Sequence, residues 1–108
     1  MTVNELKEAL NCKVFCMPCG DREVSGGYAG DLLSWVMGRA QSGDVWLTIM
    51  SNINIVAVAT LADVSCIMLT EGVEPDEEVV EKAQSVGVNL LGCLDDTFGV
   101  CEKISKLK

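Results

Sequence analysis

Histidine is absent from the 108 residues, which removes the side chain most often used as a general base near neutral pH and most often bound to a metal. Ser-His and Cys-His nucleophilic pairs and His-ligated zinc are excluded with it. Basic side chains are also scarce: 8 Lys and Arg stand against 16 Asp and Glu, a net charge of −8. Such a surface repels a phosphate backbone, so nucleic acid is not an expected partner. Aromatics make up 5% of the chain while hydrophobic residues reach 49%, so the core must be aliphatic. No apolar run approaches the ~20 residues needed to cross a bilayer. The longest, Ile53 to Ala62, is interrupted by Asn54 and Thr60 and reads as buried core rather than a membrane segment. Residues 1–8 carry charge and lack the apolar stretch of a signal peptide, so a cytoplasmic location is expected. In that reducing setting the six Cys are expected mostly as thiols. The length leaves room for one domain, residues 1–108.

The elements follow from spacing and punctuation. Thr2 with Glu5 fits a capping box, and Leu6, Ala9 and Leu10 share a helical face, which predicts a helix over 3–10. A short strand follows at Cys12 to Phe15, then a turn at Met17 to Asp21. Glu23 to Ser25 reads as a strand ending at Gly26-Gly27, and Asp31 reads as the N-cap of a helix carrying Leu32, Leu33, Val36, Met37 and Ala40. Val45 to Ile49 is a strand by its β-branched and aromatic content, Ile55 to Leu61 a buried helix, and Ser65 to Thr70 a buried strand. Pro75 opens a helix to Val86 that Gly87 closes. Val88 to Cys93 is the next strand, and Asp95, Asp96 or Thr97 caps a last helix with Phe98, Cys101, Ile104 and Leu107 inward. This alternation predicts a single α/β domain with a mostly parallel four- to five-stranded sheet flanked by helices.

The ordered set Gly26-Gly27-Tyr28-Ala29-Gly30-Asp31-Leu32-Leu33-Ser34-Trp35-Val36-Met37, then Val45 to Ile49, then Asn54 to Ala59, resembles the DRTGG domain family. The similarity continues through Glu71 to Pro75 and Asp96-Thr97-Phe98, although no contiguous DRTGG string occurs. Such domains occur in some phosphotransacetylases and in pyrophosphatases that carry CBS domains, and they look like the non-catalytic N-terminal domain of HPr kinase/phosphorylase. The resemblance implies a regulatory, ligand-sensing or assembly module, often dimeric, with no catalytic residues and no cofactor to carry over. A kinase P-loop is missing, since no Gly-Lys pair exists.

Two sets of residues are candidate sites. In open α/β sheets, ligands bind beyond the carboxyl ends of strands, where helix N-termini present free N–H groups to anions. Thr48, Ser51, Asn52, Asn54, Thr70, Gly72 and Thr97 occupy such positions and form the candidate site for a small anionic ligand or nucleotide. The same residues also read as caps that every helix requires. The lack of Lys or Arg from Ala40 to Glu81 weighs against a triphosphate. The second set is Cys12, Cys16 and Cys19, whose C-x3-C-x2-C spacing fits a metal or iron–sulfur site completed by Cys66, Cys93 or Cys101. Those last three also read as small hydrophobes in the core. Asp76, Glu77 and Glu78 crowd a helix start, and Lys103, Lys106 and Lys108 a helix end, where the dipole favours each sign.

Trp35 lies beside the apolar stripe of its helix and is the expected homodimer contact. The leading expectation is a non-enzymatic regulatory or assembly module. It would act as a homodimer, sense a small ligand such as an adenine nucleotide, and serve a neighbouring enzyme. The alternative is a redox or iron–sulfur accessory protein using the N-terminal cysteines.

Overall fold

The computed structural model describes residues 1–107; Lys108 lies outside the described residues. Among them, in chain order, are α1 (Val3–Leu10), β1 (Lys13–Cys16), β2 (Gly26–Ala29), α2 (Leu33–Arg39), β3 (Asp44–Thr48), α3 (Asn54–Ala62), β4 (Cys66–Leu69), α4 (Glu77–Val86), β5 (Leu90–Gly92) and α5 (Thr97–Ser105). The capping box opens α1 as its sequence demands. The Glu5 N–H donates to Thr2 Oγ1 at 3.2 Å, and the Thr2 N–H donates to Glu5 Oε1 at 2.8 Å.

The strands form one sheet in the order β1-β5-β4-β3-β2. β2 to β5 are parallel neighbours, and β1 is antiparallel to β5. Because successive parallel strands step in one direction and such crossovers are right-handed, α2, α3 and α4 share one face. Val36, Ile55, Val56, Val79 and Ala83 from these helices pack there on Trp46, Ile67, Leu69 and Leu90. α1 and α5 cover the other face, where Val3, Leu6 and Val100 pack on Val45, Leu47, Cys66, Met68 and Leu91. Residues of β3 to β5 therefore alternate between two apolar layers and are buried throughout.

The structure departs from the sequence expectation at three places. Gly26-Gly27 does not end a strand; it begins β2, in parallel register with β3 from Gly26 opposite Asp44 to Ala29 opposite Leu47. A Cβ at Gly26 would lie 2.8 Å from Asp44 Oδ1, so any side chain there would have to displace the Asp44 carboxylate. Glu23 forms only an isolated bridge with Thr2. Asp31 does not cap α2. Its Oδ1 accepts from the Thr48 hydroxyl at 2.8 Å and the Ile49 N–H at 3.0 Å, while Leu32 takes the cap position without a side-chain hydrogen bond. Phe98 is not inward. It is 80% exposed, Leu107 is also exposed, and Val100 is the residue α5 buries.

Buried Asn89 went unremarked in the sequence. Its Oδ1 accepts from the Cys19 N–H at 2.9 Å, and its Nδ2 donates to the Cys19 and Ser65 carbonyls at 2.8 and 2.9 Å. One side chain thus satisfies backbone groups of the 17–21 turn and of the segment before β4.

Candidate functional site

A concavity of about 450 Å³ lies at the carboxyl ends of β4 and β5, beside the amino end of β1. That is where an open parallel sheet presents ligand sites. Its walls come from Asn11, Cys12, Lys13 and Phe15 on one side, Gly72 to Glu74 on a second, and Gly92 to Asp95 on a third. Two hydrogen bonds join the loops after β4 and β5. The Glu71 N–H donates to the Asp95 carbonyl at 2.7 Å, and the Gly72 N–H to the Cys93 carbonyl at 2.9 Å. To make this turn, Glu71 and Gly72 both adopt left-handed backbone, with φ of 61° and 72°. Gly72 does so freely, whereas Glu71 holds a conformation that costs a residue with a Cβ about 1 kcal/mol or more.

The inner wall is apolar and the mouth is charged. Phe15 sits against Gly92, where a Cβ would come within 2.6 Å of the ring, so glycine admits the aromatic wall. A bulge in β1 between Val14 and Cys16 accompanies this placement. Lys13 pairs with Glu74 and lies 5.4 Å from the Phe15 ring centroid. Asp95 pairs with Lys103, and that carboxylate raises the Lys103 ammonium's pKa. The Lys13–Glu74 pair is solvent-exposed, so it holds the mouth with only ~0–1 kcal/mol.

Among the seven strand-end residues expected to bind a ligand, Gly72 lines this cleft. The structure engages the others locally. Thr48 is buried, its hydroxyl donating to Asp31 and accepting from the Met50 N–H at 3.1 Å. The Thr70 and Thr97 hydroxyls hydrogen-bond each other at 2.8 Å. Asn52 Oδ1 accepts from the Asn54 N–H at 2.9 Å at the start of α3, next to Ser51. Sequence reasoning missed Phe15, Lys13 and Asn11, because their segment precedes β5 by a long stretch of chain and reaches it only through antiparallel pairing.

The DRTGG domain family profile matches residues 31–107. This chain belongs to the DRTGG domain family. A solved structure with a like fold contains the CBS and DRTGG domains of the regulatory region of Clostridium perfringens pyrophosphatase, complexed with its activator diadenosine tetraphosphate. The TM-score is 0.71 at 15% identity, over 95% of this chain and 45% of that one. The DRTGG chain thus spans less than half of that neighbour. No curated protein sequence matches it. Asn11 to Phe15 precede the matched residues, so the cleft joins the family segment to the α1–β1 unit.

In this DRTGG domain the N-terminal cysteines do not converge. Cys12 packs in the layer under α1 and α5, Cys16 in the opposite layer, and Cys19 is exposed in the turn beyond β1. The sheet itself separates Cys12 from Cys16, so the expected three-Cys site is corrected. Among the described residues no three Cys, Asp or Glu side chains are grouped to hold a metal. Burial pushes the Cys66 thiol up to about 12, and burial and then neighbouring Cys93 push Cys12 up to about 12. Burial followed by the Asp95 carboxylate raises Cys93, against the Asp95 N–H and Lys103. These are protonated thiols near neutral pH.

Trp35 is 51% exposed, and the Arg39 guanidinium stacks 3.6 Å from its ring centroid. From Leu32 to Ala62 this DRTGG domain carries two charged residues, Arg39 and buried Asp44, despite the net charge of −8. The outer face of α2 and α3 presents Trp35, Met37, Gly38, Ala57 and Leu61 to solvent. Among the described residues no helix is long and apolar enough to cross a membrane.

Proposed function

We propose that this DRTGG domain is a non-catalytic regulatory module that takes a small ligand, such as an adenine nucleotide, in the cleft at the carboxyl ends of β4 and β5. The supporting observation is the cleft itself: an apolar wall of Phe15, Val73 and Leu94 suited to a planar base, with Lys13 at the mouth able to exchange its Glu74 partner for an anionic group. The nucleotide complex of the pyrophosphatase regulatory region supports the ligand class. The chain has no His, and burial keeps the Cys12 and Cys93 thiols of the cleft protonated near neutral pH, which supports the non-catalytic reading. Residues 1–108 act as one unit in the cytoplasm, and the ligand signal passes to a partner enzyme.

The module works as a homodimer through α2 and α3. Two chains of charge −8 repel, and the near-neutral face around Trp35 and Leu61 lets them meet with their carboxylates held apart. Calorimetric titration of AMP, ADP, ATP and diadenosine tetraphosphate tests the ligand. Binding that Phe15→Ala weakens at least tenfold is expected, and no heat with any of the four refutes the nucleotide reading. Sedimentation tests the assembly. A dimer that Leu61→Glu separates is expected, and a monomer at high concentration refutes it.

A further inference from the structure

We propose that Cys12 and Cys93 are a disulfide-forming pair across β1 and β5, oxidised by a low-molecular-weight disulfide. Antiparallel register places Lys13 opposite Gly92 and Val14 opposite Leu91, and continuing it one position past the ends of β1 and β5 would set Cys12 opposite Cys93. Directly opposed antiparallel residues have Cα atoms about 4.5–5.5 Å apart and side chains on one face. A disulfide requires about 4.4–6.8 Å. Both side chains pack against the core layer under α1 and α5, and both line the cleft. Both sulfurs also lie over the end of β4: Cys12 Sγ is 3.7 Å from Met68 Sδ, and Cys93 Sγ is 3.7 Å from the Leu69 carbonyl oxygen. The other cysteines are placed differently. Cys66 is fully buried in β4, Cys16 belongs to the opposite layer, and Cys19 is exposed in the turn.

The chemistry balances in two exchanges. The Cys93 thiolate attacks the small disulfide, forming a mixed disulfide and expelling one small thiolate. The Cys12 thiolate then attacks the Cys93 sulfur, forming the Cys12–Cys93 bond and expelling the second. The two protein protons end on the two released thiols, and the small disulfide is the species reduced. Burial keeps both protein thiols protonated, so the first exchange is slow, and the preset geometry favours the second. The bridge fastens the edge strand β1 to β5, whether or not a ligand fills the cleft.

The native full-length protein is incubated with oxidised glutathione at mildly alkaline pH, quenched with acid and mapped by mass spectrometry. The expected product has lost two hydrogen atoms and two of the six titratable thiols, carries one peptide link between Cys12 and Cys93, and reverts with dithiothreitol. Cys19→Ser should oxidise like the parent, while Cys93→Ser and Cys93→Ala, checked for native circular dichroism, should form no internal link. A bridge mapped to any other pair, or glutathione adducts at Cys19 with Cys12 and Cys93 still free, overturns the proposal.

Discussion

Raising the pH should destabilise this protein through a single buried thiol, and the size of the effect can be worked out from its position. Cys66 sits in β4 with no exposed surface, and burial lifts its pKa from the ordinary 9.0 to about 12. In the unfolded chain the thiol ionises near its ordinary value, so above that pH the unfolded state gains a stabilisation the folded state cannot share. The contribution is therefore intact below pH 9 and lost as the pH rises toward 12. Between neutrality and about pH 10 the linkage is on the order of 1 kcal/mol for this one group. Cys12 acts with the same sign but is only partly buried, so solvent screening makes its share smaller. Urea unfolding at pH 7 and pH 10 under a reducing phosphine, for the parent and for Cys66→Ala, reads the effect directly. With a urea slope of roughly 1–3 kcal/mol/M, the parent midpoint should fall by about 0.3–1 M more than that of the variant. The cavity left by removing sulfur lowers the variant's stability at both pH values and cancels in the comparison. Equal losses for the two proteins would refute the reasoning.

Three further perturbations test the scaffold around the cleft. Asp31→Ala removes the acceptor of the buried Thr48 hydroxyl and of the Ile49 N–H; a loss of about 1–3 kcal/mol in urea unfolding is expected. Asn89→Ala leaves Cys19 and Ser65 backbone groups without their partner. It should cost about 2–4 kcal/mol and speed amide exchange in the 17–21 turn. Gly92→Ala places a methyl group 2.6 Å from the Phe15 ring. It should cost about 1–3 kcal/mol by overpacking and weaken ligand binding by displacing the cleft wall, read by calorimetry.

The helices and central strands were legible because their signals are local. Thr2 with Glu5, Pro75, Gly87 and the aliphatic runs at Val45 to Ile49 and Ser65 to Thr70 each declare their element without reference to the rest of the chain. What escaped depends on contacts distant in sequence. Gly26 to Ala29 lacks the alternation of a strand, and its place is set by parallel pairing with β3 and by the tight approach to Asp44. Asp31 stands where a cap belongs, yet its carboxylate is claimed by Thr48 and Ile49 at the end of β3. Phe98 falls on the helical stripe of α5 but is 80% exposed, while Val100 takes the buried position. The cleft lies at the carboxyl ends of strands, where the sequence placed its candidates, but of those seven residues only Gly72 lines it. Phe15 and Lys13 could not be assigned to it, because nothing in a four-residue strand reveals that it returns antiparallel to β5. The cysteine spacing misled for the same reason: C-x3-C-x2-C describes distance along the chain, and a sheet lies between two of its members.

The central claim is that the cleft between β1, β4 and β5 receives the ligand. Two-dimensional amide NMR of the labelled protein, titrated with AMP and with diadenosine tetraphosphate, tests it residue by residue. Shifts concentrated at Asn11 to Phe15, Gly72 to Glu74 and Gly92 to Asp95 are expected. Shifts confined to Ser51 to Asn54, or none at saturating nucleotide, would contradict it.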